Sequence, residues 1–297
     1  MSAKNPLFDL TGRTALITGS SQGIGLSLAC GLAQAGAAVV LNGRDEAKLA
    51  TAAATVRAAA PGARVTTAAF DVTHAAAIER EVARIEADFA PINILINNAG
   101  IQRRAPLAEM SEAQWREVLD ANLTSVFLVA RAVAPRMIAR GAGKIINTCS
   151  VMSEVSRPTI ANYAAAKGGL KMLTRAMAVE WALATTDPVV DYETRQAVAN
   201  VSVQRDPRAA LERFRRWPAS DRRNQVISYA AAAWVRRDAM AALAWARELP
   251  PGDEGTRVLT SMSFALAQTD PAGAVAWAWA EATDPTITAR IAAGKRV

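Results

Sequence analysis

Short apolar runs recur through the first 150 residues of the chain: TALIT at 14–18, AVVLN at 38–42, VTTAAFDV at 65–72, INILIN at 92–97 and KIINT at 144–148. Each is too short for a stable helix and apolar on both faces, which is the pattern of a strand buried in a parallel sheet. Ala- and Leu-rich stretches of helical period lie between them. Alternating β and α units of this kind predict a Rossmann-type, doubly wound α/β fold.

Beyond about residue 184 the pattern changes. Thirteen of the 17 glycines lie before residue 185 and five of the seven tryptophans after it, so a different architecture begins there. Asp206, Asp238 and Asp270 are spaced by 32 and open the similar phrases DPRAALERF, DAMAALAWA and DPAGAVAWA. Ala210, Ala242 and Ala274 keep the register, as do Leu211, Leu243 and Val275. A period in the low thirties with an Asp cap and a Pro in the first turn predicts stacked helix-turn-helix repeats. The expected pairs are 206–217 with 221–236, 238–248 with 254–268, and 270–282 with a frayed last helix. The expected domains are therefore 1–184 and 185–297. The helical part reads either as a capping bundle without chemistry or as a groove for a protein partner. Trp245 and Trp277 are then either inter-repeat core or groove anchors.

Composition narrows the chemistry. With 51% hydrophobic and 21% charged residues the chain is globular rather than disordered. The formal charge of +7 contains no block of five like charges, which suits an anionic small molecule and gives no reason to expect nucleic acid. No run approaches the roughly 18 uninterrupted apolar residues of a spanning helix, so no membrane contact and a cytoplasmic location are expected. Cys30 and Cys149 are too few for a disulfide framework or a zinc site, and they are expected to be reduced, packed residues; no metal is expected. His74 is expected at the surface, at a helix start.

The first strand runs directly into Gly19-Ser20-Ser21-Gln22-Gly23-Ile24-Gly25. Glycines at a strand-to-helix turn let the backbone approach a pyrophosphate, and the helix end offers unpaired N–H groups to it. Gly19, Ser21, Gln22, Gly23, Ile24 and Gly25 are therefore candidate cofactor residues. Arg44, after the second strand, stands where an acidic residue would take ribose hydroxyls, so NADP is favoured, with NAD left open. Asp45 and Glu46 are the alternative partners for that arginine. Asp71, with Val72, ends the third strand and suits an adenine amino group. Asn98, Ala99 and Gly100 end the fourth, where they either line a ribose or cap the loop. Tyr163 and Lys167 stand at i and i+4 on one helical face, so an ammonium lies beside a phenol and favours its ionised form. Ser150 precedes them at the end of the fifth strand, and Asn122 lies upstream.

Together TGSSQGIG, NNAG, Asn122, Ser150 and the Tyr163/Lys167 pair resemble the short-chain dehydrogenase/reductase family over residues 7 to about 184. The stretches LFDLTGRTALITGSSQGIG, NNAGIQRRAP and RPTIANYAAAKGGLKMLTRAMAVEWA are similar to its gluconate 5-dehydrogenase members. The resemblance implies a nicotinamide-dependent oxidoreductase acting on a polyol or keto sugar acid. It implies Tyr163 as acid/base and as a cofactor-binding residue, Lys167 as its electrostatic partner and a holder of the nicotinamide ribose, Ser150 on the substrate carbonyl, and Asn122 holding a relay water. Arg104, with Arg103 or Arg157, is the candidate for a substrate carboxylate. A homo-oligomer through residues 115–128 and the Tyr163 helix is also implied. The family continues past AMAVEWA with a sixth strand, a substrate loop and a seventh strand; this sequence turns instead into LATTDPVVDYETRQ and the repeats. The fifth strand is therefore expected to be an exposed edge. The alternative is an impaired Rossmann remnant fused to an interaction module.

Overall fold

In the computed structural model, residues 9–182, 199–200, 202–204, 206–217, 219–250 and 252–275 are described. They form two compact units, Met1–Ala176 and Met177–Val297. The expected boundary at 184/185 lies outside the described residues.

The first unit holds five parallel strands, β1 (Thr14–Ile17), β2 (Ala38–Gly43), β3 (Val65–Ala69), β4 (Ile94–Asn97) and β5 (Lys144–Asn147), in the order β3-β2-β1-β4-β5. The connecting helices are α1 (Gly23–Gln34), α2 (Glu46–Ala59), α3 (Ala75–Arg84), α4 (Glu112–Leu119) and α5 (Ser125–Ala139), and α6 (Ala161–Ala182) follows β5. Ala15, Ile17, Val39, Leu41, Ile94 and Ile96 pack with Ala29, Leu49, Ala52 and Val56 of α1 and α2. Their alternates Leu16, Val40 and Leu95 are equally buried, so β1, β2 and β4 are covered on both faces. Each such Leu or Ile contributes about 1.5–3 kcal/mol of burial, which makes this three-strand centre the stable platform for the loops at its carboxyl edge.

Three strand expectations are corrected. β3 stops at Ala69 rather than at 72, because the Asp71 carboxylate accepts from Thr73 N at 2.9 Å and Thr73 Oγ1 at 2.8 Å and turns the chain toward α3. β4 begins at Ile94 rather than at 92, because Ile92 N donates to Glu86 Oε1 at 2.8 Å instead of entering the ladder. β5 is not buried on both faces: it pairs only with β4 among the described residues, Lys144 is exposed and Ile146 is 51% exposed. Among the described residues β5 is thus the last strand on its side of the sheet.

One continuous helical stretch, Glu112–Ala139, is long and apolar enough to cross a membrane by length and composition, and half of its most apolar window is buried in the protein. Within it α5 buries Val126, Val129, Val133 and Met137 and packs against α3 and β4.

The second unit contains α7 (Pro207–Arg215), α8 (Asp221–Arg237), α9 (Ala239–Arg247) and α10 (Asp253–Thr269), with residues 271–275 helical beyond them. Asp206, Asp238 and Asp270 accept from the backbone N of Ala209, Ala241 and Gly273 at 3.0, 3.1 and 2.9 Å. Each therefore satisfies an orphan donor of the turn that it opens. Trp245 is buried, lies 5.9 Å from Trp234 between ring centroids and donates to Glu212 Oε1 at 3.2 Å, so it belongs to the core and not to a groove. Trp277 and the rest of the expected 270–282 helix after residue 275 lie outside the described residues.

Candidate functional site

The loops that follow β1, β4 and β5 leave the sheet at its carboxyl edge, and the candidate residues lie there. At the end of β1 the chain must turn sharply into α1. Gly19 has φ +61° and Gly23 φ +59°, conformations that side chains resist. A Cβ on Gly19 would stand 2.8 Å from Ala99 Cα, so the turn and the β4 loop touch backbone to backbone. Gly25 is placed just as tightly, with Ser20 Cα 2.8 Å and Asn98 Nδ2 2.7 Å from where its Cβ would be.

Polar residues hold this turn in place, among them Thr18, Ser20 and Asn42, which sequence reasoning passed over. Ser20 Oγ donates to Ile17 O at 2.7 Å and accepts from Asn42 N at 3.0 Å. Asn42, fully buried in β2, donates to Ala68 O and Phe70 O at 3.1 and 3.0 Å and accepts from Gly19 N at 3.3 Å. Asn98 Nδ2 bridges Thr18 O and Gly19 O, both at 3.1 Å, while Thr18 Oγ1 accepts from Asn98 N and Ala99 N. A lone Asn inside the apolar run AVVLN was the available signal, since a buried amide demands partners.

α1 starts with Gln22 extended at its N-cap, no side-chain hydrogen bond there and no acidic residue in its first turn. Ser21 is half-buried, while Gln22, Gly23 and Ile24 are exposed. The positive end of the helix thus faces outward with its N–H groups open to an anion. Arg44 is 79% exposed in its side chain and reaches Asp71 Oδ2 at 3.6 Å. Of the alternative partners, Asp45 instead caps α2 by accepting from Lys48 N at 3.0 Å and lies 4.0 Å from the Lys48 ammonium. Burial alone would raise the Asp71 pKa, but the Thr73 N–H and hydroxyl and the Arg44 charge outweigh it and hold the carboxyl below its ordinary value. Val72 is half-buried beside it.

Asn122 sits in a π-helical turn, Asp120–Thr124, between α4 and α5. Its Nδ2 donates to Val118 O and Ile101 O, both at 2.8 Å. Its Oδ1 is buried, faces Gly100 and has no hydrogen-bond partner among the described residues. A buried acceptor left open is costly unless something donates to it, and π-turns recur at functional sites.

Ser150 caps the short 3-10 turn Val151–Ser153, accepting from Met152 N at 3.2 Å, and Lys171 of α6 donates to Glu154 just beyond that turn. On α6, Lys167 is 5% exposed. Its Nζ donates to Thr148 O at 2.6 Å and lies 5.8 Å from the centroid of the Tyr163 ring. Burial lowers the Lys167 pKa from its usual value, partly opposed by the Cys149 sulfur. An ammonium is thus fixed beside the half-buried phenol, as the i, i+4 spacing requires.

Among the candidate arginines, Arg103 is committed to Glu117 through two hydrogen bonds of 2.7 and 2.9 Å. Arg104 is exposed and donates to Gln102 Oε1 at 3.3 Å. Arg157 is also exposed. Cys149 is exposed rather than packed, a correction that follows from its place just after an edge strand, and Cys30 is half-buried. His74 stands exposed at the N-cap of α3, as expected.

Residues 13–186 match the model of the short chain dehydrogenase family. Gluconate 5-dehydrogenase of Gluconobacter oxydans (strain 621H) is 54% identical over 175 residues, which are 59% of this chain and 68% of that protein. The 5-keto-D-gluconate 5-reductase of Escherichia coli (strain K12) is 48% identical over 60% of this chain and 69% of its own. The crystal structure of a gluconate 5-dehydrogenase from Burkholderia cenocepacia J2315, in complex with NADP and tartrate, superposes with a TM-score of 0.58 at 43% identity, covering 77% of this chain and 89% of that one.

Proposed function

The chain belongs to the short chain dehydrogenase family, and we propose that it moves a hydride between NADP, with NAD as the lesser choice, and a polyol or keto sugar acid of the gluconate/5-ketogluconate type. The observation that carries this reading is the buried Lys167 ammonium, held by Thr148 O beside the Tyr163 ring at the sheet edge where the glycine turn also lies.

The chain fits a dinucleotide on its own geometry. The open end of α1, reached through a turn packed so tightly that Gly19 and Gly25 leave no room for a Cβ, suits a pyrophosphate. Gly19, Ser21, Gln22, Gly23, Ile24 and Gly25 would hold it, and Asn98, Ala99 and Gly100 would flank a ribose. Asp71 and Val72 would meet the adenine, and Arg44 a 2′-phosphate, exchanging its loose pairing with Asp71 for a dianion. Bound there, a nicotinamide supplies or accepts the hydride.

The chain's own residues manage the proton. In the reducing direction Tyr163 gives its phenolic proton to the carbonyl oxygen as the hydride reaches the carbonyl carbon; in oxidation the phenolate takes it back. Lys167 stabilises that phenolate and would hold the nicotinamide ribose, Ser150 orients the reacting oxygen, and the open Oδ1 of Asn122 receives a water that returns the proton to solvent. Arg104 is the cation available for the substrate carboxylate.

The test is absorbance at the reduced-nicotinamide band with gluconate or 5-ketogluconate. Tyr163→Phe is expected to lower kcat by about 10²–10⁴, far more than it changes NADPH affinity. Equal rates in the two proteins refute catalysis at this site. A second reading, an impaired Rossmann remnant joined to a helical-repeat interaction module, draws on the three equivalent Asp caps 32 residues apart and on β5 being the last strand on its side of the sheet among the described residues. A melting temperature that does not respond to NADPH favours it, because a folded cofactor site must respond by linkage.

A further inference from the structure

Residues 101–106, the loop that carries Arg104, are held at four points. Ile101 O accepts from Asn122 Nδ2 at 2.8 Å. The Arg103 side chain is clamped on Glu117 of α4. Arg103 O accepts from Asn162 Nδ2 at 3.1 Å, and Ala105 N donates to Thr159 O at 3.1 Å. Thr159 is the one non-glycine residue with positive φ among the described residues, at +72°, a conformation that persists only when its surroundings enforce it. The last two ties both come from the segment that opens α6, immediately before Tyr163.

Asn162 joins these pieces. It is fully buried, and both of its amide donors and its oxygen are engaged: Nδ2 donates to Arg103 O and to Gln114 O at 3.2 Å, and Oδ1 accepts from Tyr163 N at 2.8 Å. Capping Tyr163 N would need only an acceptor, which Asp or Ser supplies as well, and Asp would also favour the helix dipole. The two donated bonds need an amide. They run from the start of the Tyr163 helix to the Arg104 loop and to α4, and they serve no helix end.

We propose that Asn162 is a positioning residue that keeps the Arg104 loop in register with Tyr163, so that a sugar acid is gripped at its carboxylate and at its reacting oxygen at one set separation. The proposal rests on the oxidoreductase reading for its substrate and deepens it: Asn162 would set selectivity for an anionic polyol over a neutral one. A fixed separation between binding group and reacting centre is how orientation becomes rate.

The full chain carrying Asn162→Asp, Asn162→Ser or Asn162→Ala tests it. Asn162→Asp keeps the acceptor and loses both donors; Asn162→Ser is the small polar variant to use if the others do not fold. Ala105 amide exchange reads the loop directly and should speed up about tenfold or more in the Asp and Ala variants. KM for gluconate should rise about tenfold, KM for the neutral hexitol sorbitol should change much less, and NADP affinity by calorimetry should stay within about twofold. Unchanged Ala105 exchange in a folded variant overturns the proposal, as do equal losses toward gluconate and sorbitol. If the wild-type chain turns over neither substrate the oxidoreductase reading fails, while the Ala105 exchange still decides whether Asn162 holds the loop.

Discussion

Three glycines of one helix give the sharpest quantitative test, because they are glycine for three different reasons. Replacing Gly25 by Ala puts a methyl carbon 2.8 Å from Ser20 Cα and 2.7 Å from Asn98 Nδ2, with Gly19 O closer still, where ordinary contact begins near 3.4 Å. Two of these neighbours are backbone and the third is pinned by its bonds to Thr18 O and Gly19 O, so α1 itself must retreat by about 1.0 Å, the gap between 3.4 Å and the 2.4 Å contact with Gly19 O. Overpacking of this kind costs about 1–3 kcal/mol, and the retreat withdraws the helix end from the place where a pyrophosphate would sit. Gly23→Ala meets no atom within 4 Å but must adopt φ +59°, at about 1–2 kcal/mol. Gly31→Ala, exposed in the helix interior with open space around it, should stabilise by about 0.8–1 kcal/mol. Denaturant unfolding gives the three stabilities, and calorimetric titration with NADPH gives the affinities. Gly31→Ala should bind as wild type, Gly25→Ala at least about tenfold more weakly. If Gly25→Ala is as stable and binds as tightly as Gly31→Ala, the backbone-contact account of this turn is wrong.

Other residues give independent outcomes. Arg44→Ala should weaken NADP binding by about 10- to 100-fold, the worth of a charge-assisted contact, and leave NAD binding nearly unchanged; equal losses for both cofactors would remove the 2′-phosphate assignment. Asp71 has a folded-state pKa below its ordinary 3.8, so its ionisation contributes stability above that value and loses it as pH falls through the lower folded value. Asp71→Asn should therefore melt below wild type near neutral pH, with the gap closing in strong acid; melting curves across the acid range check this, and a constant gap contradicts it. Asp238→Ala removes the acceptor for Ala241 N and should cost about 0.5–2 kcal/mol, whereas Met240→Ala, at a side chain 81% exposed, should be nearly neutral in the same unfolding assay.

Much was legible in the chain because short-range rules determine it. Apolar runs of strand length separated by helical stretches specify a parallel sheet whatever the remaining residues are, and all five strands are where the runs lie. Gly19, Gly23 and Gly25 were readable because a turn from strand to helix leaves few residue types with the required backbone freedom. The Tyr163/Lys167 pair was readable because i, i+4 spacing brings two side chains together within one helix. The Asp residues at 206, 238 and 270 announced helix starts for the same local reason.

What the tertiary structure decided involves groups far apart in sequence. Competing side-chain acceptors moved the strand ends at Ala69 and Ile94, since Asp71 and Glu86 claimed backbone or hydroxyl donors that a ladder or loop would otherwise use. Of three candidate arginines, a carboxylate fourteen residues away engages Arg103, while Arg104 and Arg157 stay exposed. Asn42 and Asn162 look in sequence like ordinary polar residues; each proves to be a buried amide whose partners lie on other elements. An amide can be satisfied in many ways, and only the folded chain shows which donors and acceptors reach it. That is why periodicity foretells the sheet, while the fine geometry of the site depends on long-range hydrogen bonds.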